Sequence, residues 1–362
     1  MRTFAFIILC LSLFKISFAQ NNQEVYEQAF EKINCMLDGS CASSFKEAVF
    51  TVENAYFSNQ LDKTLFDNKI LFLTEVAKQL TTSRELIYDF QDKAEIAKYA
   101  ALFTVITDSI QIKTAEGKTA YLMPFTYDFN DIWGYKQWSN MFVTKLLDTK
   151  KGNCHSMPYL YKILADEIGA KAHIAVAPNH FYIKHQSKAS GWYNTELTSG
   201  IFPIDAWLMA SGYIHLDAIV NKLFMEALSD KQMLALCIID LAKGYEKKLG
   251  LLATNEFVLK CTEAALKHYP HYINAMILKA ETKKKEFDGL MKKYSAKYPA
   301  EIFHIGEAKK LFDGMTALYS KIHELGYRKM PEEMYLDWLV SLKAERSKYE
   351  NKEIANFKSQ TK

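Results

Sequence analysis

The sequence predicts an α+β chain in which one helix packs on a small antiparallel sheet and helical regions flank that core. Three observations carry this expectation. The 362 residues include only 7 Pro and 14 Gly, and Lys, Glu, Ala and Leu abound, a composition that favours helices. Apolar residues recur at helical spacing through 21–115 and again through 217–349,. Between these stretches, one amphipathic helix is followed by three short alternating segments, the pattern of strands with one buried face.

Taken in order, residues 1–19 (MRTFAFIILCLSLFKISFA) begin with Arg2, run apolar, and end in Ser17-Phe18-Ala19. That is the pattern of a signal peptide cut before Gln20. The apolar stretch is short for a membrane span and Lys15 interrupts it. Residues 20–115 read as an N-terminal helical region. Its helices are expected over 24–36, from a cap at Ser43-Ser44 to about Tyr56, over 61–80, and from a Thr82-Ser83 cap through Ile110,. Residues 116–216 read as the core, irregular and aromatic up to Phe129, with a short helix marked by Trp138, Phe142 and Leu146. A clear helix follows over 154–169, with Met157, Leu160, Tyr161 and Leu164 on one face and Gly169 as its stop,. Strands are expected over 172–177, 180–185 and 191–197, the last two as a hairpin. Residues 217–362 return to helices, strongest at 237–248, 255–268 and 273–284. Small residues around Tyr269-Pro270 give 255–280 a partial tetratricopeptide character,.

Formal net charge is +3. Removing residues 1–19, with Arg2 and Lys15 and no acids, leaves +1 (3 − 2). A near-neutral chain gives no electrostatic case for nucleic acid. No later stretch is apolar enough for a membrane span, so an exported product, periplasmic or secreted, is expected. Export permits disulfides. Five cysteines then remain, an odd number, which leaves at least one thiol outside any intramolecular pairing. Cys35 and Cys41 flank the turn Leu37-Asp38-Gly39-Ser40. Cys237 and Cys261 lie in successive helices, as a bridge or as buried thiols. Cys154 is the natural one to stay free.

Cys154 sits in the run GNCHSMP that opens the central helix. Unpaired N–H groups and the positive end of the helix dipole favour a thiolate there. Gly152 lets the backbone approach closely, and the Cys154 N–H can face a developing oxyanion. A base must come from elsewhere in the fold. His155 is adjacent and points away. His180 starts a strand after the stiff Pro178-Asn179 turn. By period two, Asn194 and Glu196 share one face of the neighbouring strand and can orient an imidazole. Glu196 is preferred as the anionic partner, and Asn194 stays open. Trp138 and Gln137 are candidate oxyanion donors, and Tyr127 and Asp128 candidate cleft residues. Asp205 and Trp207 read as structural. Each residue alone is more often a packing residue. The order Cys, helix, strand, His, strand, acid is what points to chemistry.

The run GNCHSMPYLYKILADEIGAKAHIAVAPNHFYIK resembles the Cys-helix-strand-His core of the transglutaminase-like superfamily, within the papain-like fold. The family's Gly and nucleophilic Cys fall on Gly152 and Cys154, the helix end on Ile168-Gly169, and its histidine on His180. Its third member, an Asp followed by Pro-Thr, falls on Glu196, here longer and followed by Leu197-Thr198. The resemblance covers about 120–210 well and 255–290 weakly, and is similar to a secreted bacterial group with tetratricopeptide-like helices. It implies cysteine-dependent acyl transfer on a peptide or amide bond, chiefly hydrolysis through a thioester. The substrate would be a protein or peptide, with cell-wall peptide among the options. The alternative is a non-catalytic binding or assembly module whose helical regions hold a protein partner. His173, His180, His185 and His215 lack metal-type spacing, and no glycine-rich phosphate loop occurs, so no metal and no cofactor is expected.

Overall fold

In the computed structural model, which describes residues 22–113 and 117–354, strands gather mid-chain and helices fill both flanks. The helical residues 22–38 (α1) are followed by α2 (Phe45–Tyr56), α3 (Lys63–Ser83) and α4 (Lys93–Thr107). Next come β1 (Ile110–Lys113), β2 (Thr119–Leu122), β3 (Thr126–Tyr127), α5 (Val143–Thr149), β4 (Lys151–Gly152) and α6 (Ser156–Glu167). Strands β5 (His173–Ala177), β6 (His180–Ser187) and β7 (Gly191–Thr195) precede two short helices, α7 (Asp205–Met209) and α8 (Leu216–Val220). The rest is helical: α9 (Asp230–Leu249), α10 (Asn255–His268), α11 (Ile273–Lys293), α12 (Gly306–Glu324), α13 (Glu332–Ala344) and α14 (Arg346–Tyr349). The architecture is therefore mixed α+β, with small sheets flanked by helices. The expected signal peptide lies outside the described residues. Among the described residues no helix is long and apolar enough to cross a membrane.

The chain forms two compact units, each discontinuous in sequence. The first joins residues up to Leu61 with Asp230–Glu324. In it α2 packs on α9, and α9, α10, α11 and α12 pack in succession. Ser44 caps α2 by accepting from the Glu47 N–H,. Tyr26 meets Tyr245 edge-on at 5.2 Å, and Tyr245 meets Phe257 at 4.5 Å. A disulfide joins Cys35 to Cys41 across the turn after α1. Cys237 and Cys261 are buried free thiols, which burial pushes well up,.

The second unit joins Asp62–Ser229 with the segment from Leu325 onward. The grouping follows neither linear boundary expected at 115/116 and 216/217. Helices α3 and α4 belong with the sheet, and the end of the chain returns to it. Helix α6 packs against α4, α5, β5 and β6. The main sheet has the order β5-β6-β7, antiparallel throughout. Its β6–β7 register pairs Ile183 with Thr195 and Lys184 with Asn194. A short parallel pair sets Tyr127 of β3 beside Gly152 of β4.

The returning segment is anchored along its length. Tyr327 bridges Ile214, and Glu350 bridges Pro203. The Asn179 side chain donates to the Met330 carbonyl at 3.0 Å. Trp338 stacks on Trp207 at 4.3 Å and 12°, and its Nε1 donates to the Trp207 carbonyl at 3.0 Å. Tyr335, Trp338, Leu339 and Leu342, one face of α13, are buried. Full burial of such side chains contributes roughly 1.5–3 kcal/mol each, so α13 is a core element.

Three local expectations are corrected. The helix expected from the Thr82-Ser83 cap begins only at Lys93. Thr82 and Ser83 instead end α3, and Arg84 is extended. Leu86 and Tyr88 are buried from a segment outside any helix or strand, while Phe90 is 51% exposed. Apolar spacing cannot tell these cases apart when both fill a core. Ile110 lies in β1, paired with Leu122 of β2, where a helix end and an irregular stretch were expected. The strand expected to Leu197 stops at Thr195, and Glu196 forms a bridge with Ile201.

Candidate active site

The site is built at the start of α6. Asn153 Oδ1 accepts from the His155 and Ser156 N–H groups at 3.0 and 3.1 Å. Ser156 Oγ accepts in return from the Asn153 N–H at 3.1 Å. This reciprocal cap satisfies N–H groups that a helix start leaves open. It holds Cys154 at the first turn, with Met157 N–H already donating to the Asn153 carbonyl. A side chain at Gly152 would force its neighbours to shift, since a Cβ there would lie 2.5 Å from Ser156 Oγ and 2.7 Å from Leu146 Cδ1. At the far end, Gly169 takes φ +64 and Ala170 N–H closes on the Ala165 carbonyl, ending the helix,.

His180 enters from β6. The turn before it joins Ala177 to His180, with Pro178 and then Asn179 at φ 57. Proline fixes its own φ and asparagine tolerates the left-handed region, so both residue types suit the turn. The turn also delivers the Asn179 carbonyl, which accepts from the Cys154 thiol at 3.7 Å. The His180 side chain is fully buried. Its Nε2 lies 2.5 Å from Glu196 Oε2, and its Nδ1 lies 3.0 Å from the Tyr335 hydroxyl. The other carboxylate oxygen, Oε1, accepts from the Thr198 N–H at 2.8 Å. The imidazole also lies close enough to Cys154 for each to shift the other's titration.

Register decides which neighbour meets the imidazole. Asn194 and Glu196 both share the face of His180. With Lys184 opposite Asn194, the continuing register brings Glu196 level with Tyr182, one step diagonal from His180. Asn194 is a further step away. Its amide donates instead to the Pro203 carbonyl at 3.1 Å and to Asp205 Oδ1 at 2.7 Å. Asn194 is therefore not the partner of His180.

The electrostatics follow from burial and proximity. Burial alone pushes a thiol up. The His180 hydrogen bond and charge, then Tyr335 and His155, outweigh it and hold Cys154 below the usual thiol range. Burial alone pulls an imidazole down. The Glu196 charge, with the hydrogen bond that Nε2–H donates to Glu196 and the nearby Cys154, overcomes it and pushes His180 up to about 10. Both directions favour a thiolate beside an imidazolium. Burial and the nearby Cys154 charge push Tyr127 and Tyr335 well above the usual phenol range, so both hydroxyls keep their protons.

The other expected site residues divide. Tyr127 reaches the site, because its hydroxyl lies 3.4 Å from that of Tyr335 and feels the nearby charge of Cys154. Asp128 is structural: its N–H donates to the Gly152 carbonyl at 2.7 Å, and its carboxylate pairs with Lys145 at 3.5 Å. Gln137 is exposed, with its amide donating to Ser139 Oγ at 2.9 Å. Trp138 is half-buried in the turn Trp138–Met141. His155 turns its Nδ1 to the Met141 carbonyl at 2.9 Å, away from the sulfur. His173 and His185 are bound to the Leu228 carbonyl and the Tyr161 hydroxyl.

Sequence reasoning missed Tyr335 and Trp338. They stand 155 and 158 residues beyond His180 in number, yet Tyr335 bonds its Nδ1 and Trp338 meets its ring edge-on at 5.4 Å. Their spacing of three, with Leu339 and Leu342, marks a buried helix face but nothing about which core that face enters. The chain matches no known family model, no curated protein and no solved structure, so the case for its chemistry stands on this geometry.

Proposed function

We propose that this chain is a cysteine-dependent acyl-transfer enzyme acting on a peptide or amide bond, with water as the principal acceptor. The observation that carries the reading is the buried His180–Glu196 pair, 2.5 Å apart on the packed sheet, with Cys154 beside the imidazole at a capped helix start. In this reading the thiolate attacks the carbonyl carbon, a C–S bond forms, and the carbonyl π pair moves to oxygen. The His180 imidazolium protonates the leaving amine as the C–N bond breaks, which leaves a thioester. Water, deprotonated by His180, then attacks, and the thiolate departs as the C–S bond breaks. Glu196 orients the imidazole and stabilises its charged form.

The finer readings belong to the same proposal. A helix carrying cysteine at its start, packed on an antiparallel sheet carrying histidine, fits the papain/transglutaminase-like arrangement. The signal-peptide pattern supports export to a periplasm or the outside. The successive helices α9 to α12 are where a tetratricopeptide-like partner surface would lie. A second reading, a non-catalytic binding module on such a scaffold, draws on the complete burial of His180 beneath the returning segment.

An acyl probe directed at thiols separates the two. Selective labelling of Cys154, lost in His180→Ala while the fold persists by circular dichroism, supports the enzyme. A Cys154 no more reactive than a thiol in the denatured chain overturns it.

A further inference from the structure

Helix α13 contributes a hydroxyl to the site from 155 residues beyond its histidine. Tyr335 OH lies 3.0 Å from His180 Nδ1 and 3.4 Å from Tyr127 OH, and both hydroxyls feel the nearby charge of Cys154. Two phenols from distant parts of the chain thus converge on one sulfur. With His180 charged, Nδ1–H donates to the Tyr335 oxygen, which leaves the Tyr335 O–H free to donate to the thiolate.

We infer that Tyr335, seconded by Tyr127, is the side-chain oxyanion donor of the site. This rests on the acyl-transfer reading of Cys154. A tetrahedral carbon bonded to the sulfur carries its oxyanion beside that sulfur, on the side where the paired Tyr335 and Tyr127 hydroxyls are gathered next to the imidazole. As the C–S bond forms, negative charge moves from sulfur to oxygen, and the O–H donors follow it by a small shift. No proton leaves either phenol, and none has to be replaced. Preorganised donors in a dry site are worth most where charge develops. Of the expected donors, Gln137 fares worse, since its amide is held by Ser139.

A removable plug is the competing role for Tyr335, and the packing argues against it. The ring touches Trp133 at 4.9 Å and Trp338 at 5.9 Å, the residue is fully buried, and Trp338 stacks on Trp207. Asn179, whose carbonyl faces the thiol, is tied to the Met330 carbonyl. The helix that carries Tyr335 is built into the core that carries His180.

The test compares two reactions of Cys154 in the full chain. Iodoacetamide alkylates the thiolate without forming an oxyanion. p-Nitrophenyl acetate acylates it through one. Measured at a pH above the thiol titration of each variant, Tyr335→Phe should alkylate within about twofold of the parent while acylating on the order of 10²-fold more slowly. Tyr127→Phe should show a smaller loss with the same selectivity, and it leaves α13 untouched should Tyr335→Phe fold poorly. Equal loss in both reactions, or no loss of acylation, overturns the assignment while leaving Cys154 as nucleophile. Faster alkylation and acylation in Tyr335→Phe overturns it in favour of the plug. A parent Cys154 inert to both reagents overturns it together with the acyl-transfer reading.

Discussion

At the scale of single residues, the contest is between burial and neighbouring charge. Both Cys154 and His180 sit where burial opposes ionisation, and in both the partner wins. The signs set a pH window. The thiolate appears as pH rises through a Cys154 value below the ordinary thiol range. The imidazolium persists until about 10. Alkylation of Cys154 should therefore already be fast near neutral pH. Glu196→Gln removes the charge that raises His180, so the imidazole should fall back and the thiol titration should move up,. Asn194→Ala should leave that titration in place, because its amide bonds Pro203 and Asp205. A Glu196→Gln profile that overlays the parent's would remove Glu196 from the site. Period two made both residues candidates, and only the strand register separates them.

At the scale of elements, the helix start is specified twice. The Asn153–Ser156 reciprocal cap and the absent side chain at Gly152 both place Cys154 at the first turn of α6. Asn153→Ala should cost about 1–2 kcal/mol by chemical denaturation, with Cys154 alkylation slowed beyond what the stability loss explains. Gly152→Ala should cost more, about 1–3 kcal/mol or above, since both nearby atoms belong to packed side chains. A Gly152→Ala protein as stable as the parent would show that Ser156 and Leu146 move aside. The cap and the glycine were legible in the run GNCHS. The β1–β2 hairpin and the irregular segment before α4 were not, because a short apolar run reads alike as helix or not until a partner surface selects one.

At the scale of the whole molecule, the end of the chain completes the unit that holds the site. A chain ending at residue 324 would lack Tyr335, the Trp338 stack on Trp207 and the bridges at Ile214 and Pro203. Such a truncation should lose the low-pH reactivity of Cys154 and show reduced cooperativity on unfolding. Retention of parental reactivity would show that α13 is dispensable. The disulfide belongs to the other unit. Replacing Cys35 and Cys41 with Ser should cost about 2 kcal/mol, the low end expected for a short loop, and leave the Cys154 pH profile unchanged. A shifted profile would show that the two units are coupled.

What the sequence determined by itself was local: a cysteine at a capped helix start, a histidine aimed by Pro178-Asn179, two polar residues on one strand face, and helices around them. These follow from propensities and spacings within a few residues of each position, which folding does not revise. Tertiary structure decided the rest. It chose Glu196 over Asn194 through register, drew α3 and α4 into the unit of the sheet, and brought Tyr335 and Trp338 to the imidazole. Those choices depend on which buried faces meet, and residues 155 apart carry no mark of their meeting until the core closes around them.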